Sequence, residues 1–175
     1  MRRGSEVTPV GALVRGIVAG VLGTAAMDTV WYRRYRSGGG DGGPLEWEFA
    51  SGLSSWDAAP APAQVGKRLY EGFVQKELDG RHARLVTNLV HWGTGVAWGA
   101  LYGLLAGSMP RRTLVAGLPF GAGVWATSYL VLARAGVYKP MREYDRATLW
   151  KDLSAHLVFG AGTAATFAAL SPAGS

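Results

Sequence analysis

The chain has 175 residues, enough for one domain, of which 49% are hydrophobic, with 26 Gly, 7 Trp and no Cys. The missing thiols exclude disulfides and cysteine catalysis and leave the compartment open. A formal net charge of +6 comes without any nucleic-acid-binding motif, so it points to anionic lipid headgroups and not to nucleic acid.

Mean hydropathy is only +0.10, because a long polar connection dilutes four apolar runs. A span needs roughly 20 mostly apolar residues. Four stretches qualify: 10–32, 86–106, 114–133 and 150–170. Trp31, Tyr32, Tyr138 and Trp150 stand at their ends, as interfacial aromatic belts do. The competing class is a soluble helical protein with an Ala/Gly-rich core, in which repeated runs of this length are rare.

The first run follows Arg2 and Arg3 and could be read as a secretory signal. It is long for one, and it leads into Asp28, Trp31, Tyr32 and Arg33-Arg34, a stop-transfer pattern. We therefore expect it to be retained. Next comes a Gly-rich stretch over 37–43, then 44–62 with Trp47, Phe49 and Trp56 among Glu46, Glu48 and Asp57. Pro60 and Pro62 precede an amphipathic helix predicted over 63–78. Its apolar face (Val65, Leu69, Tyr70, Phe73, Val74, Leu78) suits either the membrane interface or the end of the bundle. After the second and third spans, the connection 134–149 holds Tyr138, Lys139, Pro140 and Tyr144 and reads as an interfacial loop.

Four spans put both termini on one side. Arg2, Arg3, Arg15, Arg111 and Arg112 lie on that side, against eleven Lys and Arg near the span ends on the other. The positive-inside bias therefore places the two long connections in the cytoplasm and both termini outside.

Small residues recur every fourth position along the spans. The rows are Gly16, Gly20, Thr24, Asp28; His91, Gly95, Gly99, Gly103, Gly107; Gly117, Gly121, Trp125, Tyr129; and Asp152, His156, Gly160, Ala164, Ala168. Residues four apart share one ridge, and small ones let backbones approach where lipid gives no hydrophobic drive. The fold class expected is therefore all-α: a four-transmembrane-helix bundle packed by small-xxx-small motifs, with a cytoplasmic amphipathic helix.

Three of these rows end in ionisable groups. Following chain direction at 1.5 Å per residue, Asp28, His91, Asp152, His156 and Tyr129 fall in one layer near the cytoplasmic face. Ionisable groups at membrane depth pair with one another or face a cavity. Three roles compete. One is a hydrogen-bonded network that fixes helix register. A second is proton- or ion-coupled movement, disfavoured by outer halves almost free of charge. A third is a metal site on His91, His156, Asp28 and Asp152, or a haem held by the two histidines. The chain requires no cofactor on the first two.

No nucleophile elbow, phosphate loop or H-E-x-x-H motif is present, so the sequence leans away from an enzyme. The expected role is an accessory or small transporter-like membrane protein; the alternative is a metal- or haem-binding membrane protein, a membrane metalloenzyme included. The partners expected are the anionic bilayer and a membrane protein or second copy.

Three segments, GIVAGVLGTAAMD from Gly16, HWGTGVAWGALYGLL from His91 and VYKPMREYDRATLWKDLSA from Val137, resemble small bacterial multi-pass inner-membrane proteins of the YagU-like type. The long connection departs from that type. The resemblance implies a multi-pass protein of a bacterial inner membrane and carries over no catalytic residue.

Overall fold

The computed structural model describes residues 8–108 and 116–171. Among these every regular element is helical: α1 (Pro9–Ser37), α2 (Pro44–Glu48), α3 (Ala61–Val74), α4 (Ala83–Gly107), α5 (Gly117–Arg134) and α6 (Arg146–Ala169), with short 3-10 turns at Gly80–His82 and Met141–Glu143. Arg2, Arg3, Arg111 and Arg112, used above to orient the spans, lie outside the described residues, as do the first two residues of the run 114–133.

Local chemistry sets the helix limits. Thr8 caps α1 by accepting from the Gly11 amide at 3.1 Å, with Pro9 preset for the first turn. Nothing stops α1 at Tyr32, so it runs on to Gly38, where Gly39 adopts φ +95°. Asp145 caps α6 by accepting from the Thr148 amide (2.9 Å) and hydroxyl (2.6 Å), so α6 begins before the apolar run. The amphipathic pattern over 63–78 is helical only over Ala61–Val74, because Gln75 turns left-handed at φ +55°.

By length and composition one described helix, α1, is apolar enough to cross a membrane, where the sequence predicts four such spans. The glycines of α4, α5 and α6 make the packing. A Cβ on Gly16 would stand 2.8 Å from the Cα of Gly103, and one on Gly20 would stand 2.8 Å from the Cα of Gly99. Only hydrogen fits there. Gly95 faces the Thr24 hydroxyl and Gly107 the Ala12 side chain, so α1 and α4 meet along their whole rows. The same device joins α5 to α6, where Gly117 and Gly121 oppose Gly160 and the His156 carbonyl. Gly23 lets α6 approach the other flank of α1, against Thr163 and the Phe159 carbonyl.

The bundle thus runs α5, α6, α1, α4, with α3 laid against α4 through Gly66, Val86 and Val90. Helices α4 and α5 meet mainly through aromatic rings. Phe120 contacts Tyr102 (4.9 Å between ring centres), Trp98 (6.2 Å) and Phe159 (6.2 Å), and Tyr102 contacts Phe167 (5.8 Å). This aromatic layer fills the centre of the bundle. Beyond it, toward α2 and α3, the helices diverge.

Candidate functional site

The divergence leaves a cavity of about 740 Å³, floored by Trp98 and Phe159 of the aromatic layer. Its walls come from α1, α4, α5 and α6. Its mouth is rimmed by α2 and by the start of α3, where Pro60, Pro62 and Val65 line it, and stays partly open. Arg68 pins α3 across the mouth by donating to the Ala135 carbonyl, and to Gly136 O at 3.1 Å, just past α5.

Asp28 is buried on α1, 4% exposed. Its Oδ2 accepts from His91 Nε2–H on α4 at 2.8 Å. The glycine rows cause this meeting: Gly20 lies on Gly95 and Gly99, and the next ionisable residue on each row follows in register.

Glu48 joins the pair from α2. One donor atom each of Asp28, Glu48 and His91 lies within 4.8 Å of the others. Helix α2 is held on both sides. Tyr32 Oη donates to Gly42 O (3.1 Å), Tyr35 Oη accepts from Gly42 N (3.0 Å), and Trp47 packs on both rings at 5.6 and 6.1 Å. From α4, Arg84 Nε and Asn88 Nδ2 donate to Phe49 O at 3.0 and 3.2 Å. So clamped, Glu48 reaches Asp28. Burial first, then the charge of Asp28 and a hydrogen bond to it, push the Glu48 carboxyl up to about 7. The Glu48 carboxyl thus exchanges its proton near neutrality, beside Asp28 and His91.

Asp152 and His156 line the same cavity from α6 but stand apart from that group. His156 Nδ1 lies 3.0 Å from the Asp152 carbonyl oxygen and 3.4 Å from its Oδ1. Tyr129 is buried beside Asp152, ringed by Trp125, Tyr138 and Tyr144 at 5.2–5.3 Å. Tyr138, in the loop before α6, is pushed up to about 12 by burial and the Asp152 charge, so it faces the cavity as a hydrogen-bond donor.

Of the four residues expected to form one metal set, the structure therefore gathers Asp28 and His91, leaves Asp152 and His156 as a second pair, and adds Glu48. Each imidazole is tied through one nitrogen to the aspartate on its own side, a bond that histidine ligands of metals and haem commonly make through the nitrogen that does not ligate. Sequence reasoning placed Glu48 in the connection and missed its role. Pro44 at the first helical position and Glu46 three residues after Gly43 signal the α2 start, though not where it docks.

Fold and site together define an all-helical bundle with an acidic, histidine-bearing cavity beneath a short loop helix. Compared with known proteins, the chain matches no family model, no curated protein and no solved structure.

Proposed function

We propose that the chain is a four-span protein of a bacterial plasma membrane, with spans at 10–32, 86–106, 114–133 and 150–170, both termini outside and α2 and α3 on the cytoplasmic side. Its role is non-enzymatic and transporter-like: it binds a small solute in the cavity. Likeness to the YagU-like type is part of this proposal. The outward faces support a bilayer. Val10, Val14, Val18 and Leu22 form a bare apolar stripe on α1, and Leu101, Leu104 and Leu105 on α4 and Leu118 and Leu130 on α5 are also exposed.

The observation that carries the solute reading is the cavity. At about 740 Å³ it lies within the range of small-molecule sites, mostly apolar with a few convergent polar groups. It ends at the aromatic layer, so passage to the far side requires α4 and α5 to part there. In proteoliposomes, solute or proton flux is expected, and Asp28→Asn should lower it at least about tenfold. Flux that survives this isosteric change would remove Asp28 from the transport path. Absence of flux from the wild type, with a fixed membrane partner co-purifying, would assign the accessory role instead.

One observation favours a second reading. Asp28, Glu48 and His91 offer two oxygens and one nitrogen from three separate elements, a donor set suited to a divalent transition metal. Metal retained by the purified protein and lost in His91→Ala would support it; metal-free protein after purification with added zinc would remove it.

A further inference from the structure

Charge is distributed unevenly between the cavity and the chain. The chain carries 18 Lys and Arg against 12 Asp and Glu. Among the described residues lining the cavity there are three carboxylates, Asp28, Glu48 and Asp152, and no Lys or Arg. Of the basic residues nearby, Lys151 lines the adjoining space beside Asp152, and three arginines are engaged elsewhere. Arg34 donates to Lys151 O and to Ser154 Oγ and lies 4.9 Å from the centre of the Trp31 ring. Arg68 holds the mouth, and Arg84 donates to Phe49 O. With its carboxylates ionised, the lining stays net acidic even when both imidazoles carry a proton.

The rest of the wall is apolar and aromatic. Trp31, Trp47 and Trp98 line the space, joined by Tyr138 and Phe159. An ionised carboxylate in such surroundings is costly unless a cation compensates it. Aromatic faces attract cations, more strongly once water is excluded. An inorganic ion would satisfy the carboxylates and leave most of 740 Å³ unfilled. An anion would meet three carboxylates and find no Lys or Arg among the described lining residues.

The geometry points to an organic cation with a bulky apolar body as the occupant of this cavity, its charge against Asp28 and Glu48 and its body against the tryptophans. This rests on the reading of the cavity as a solute site and names the solute's chemistry. The ammonium could belong to a free lipophilic amine or to the headgroup of an ethanolamine lipid entering from the bilayer; both present the same charge and body.

Binding to the full-length protein in detergent tests this, read by quenching of the cavity tryptophans and by calorimetry at pH 8. Three probes of similar shape are compared: tetraphenylphosphonium, triphenylphosphine oxide and tetraphenylborate. The phosphonium alone should bind, and Asp28→Asn and Glu48→Gln should each weaken it at least tenfold. Because the three-probe comparison uses the wild type, it stands even if a variant folds poorly. Equal binding of the neutral or anionic probe would overturn the cationic assignment and leave a solute site of another class. Binding of none of the three would overturn it too, and the flux assay would then decide the solute reading separately. Ethanolamine lipid that co-purifies and is released by the phosphonium names the lipid as the source. Phosphonium binding without such lipid names a free amine.

Discussion

The two halves of the bundle are built from the same helices and differ in how closely they approach. On the side of the aromatic layer away from α2, glycine meets glycine across α1 and α4, and Tyr102, Phe120 and Phe167 fill what remains. On the other side, α4 and α5 diverge, and Asp28, His91, Asp152 and His156 line the gap. Small residues at every fourth position buy close packing in one half. Where the rows change to ionisable residues, a hydrogen bond between Asp28 and His91 joins α1 to α4. Stability therefore belongs mainly to the first half and ligand chemistry to the second.

The largest effect should come from breaking the seam. In Gly99→Leu the new Cβ would run into the Gly20 backbone, and neither helix can retreat without losing the Gly16–Gly103 contact as well. We expect a loss of about 3 kcal/mol or more, or no folded protein, read by thermal or denaturant unfolding in detergent. Gly93→Leu is the matched control on the same helix, since a Cβ at Gly93 meets nothing within 4 Å. It should leave the unfolding midpoint near that of the wild type. Equal loss in both variants would mean that the close approach at Gly99 is not what sets its effect, since propensity alone would favour Leu at both positions.

Much of the first half was legible in the sequence, because small residues four apart are a local pattern with one geometric meaning. The meeting of Asp28 with His91 was legible for a related reason: each continues a glycine row, and a fixed rise per residue places both at one depth. Glu48 was not legible. It is positioned by Tyr32, Tyr35 and Trp47 on one side and by Arg84 and Asn88 on the other, contacts that no periodicity encodes. Nor was the separation of the two Asp–His pairs, one joining α1 to α4 and the other lying within α6. The span count differed for a compositional reason. His91 in α4, Arg134 in α5 and Asp152 with His156 in α6 are ionisable residues inside the predicted spans or at their ends, and they lower the hydropathy of those helices.

The smallest effect is the one that isolates the second half. Glu48 is held at about 7 in the folded protein, against an ordinary value of 4.5, by burial and by Asp28, with the His91 charge opposing. A carboxyl whose folded value is raised favours the folded state while protonated. That contribution is complete below about pH 4.5 and is lost as the pH rises through about 7. The wild type should therefore lose stability across this interval as α2 is repelled from Asp28. Glu48→Gln, which keeps the shape and cannot ionise, should flatten that part of the profile while leaving the glycine seam unchanged. Melting temperatures of both proteins from pH 4 to pH 8 measure the difference. Parallel profiles would show that Glu48 does not exchange its proton against the Asp28–His91 pair, and that α2 is only a structural cover over the cavity.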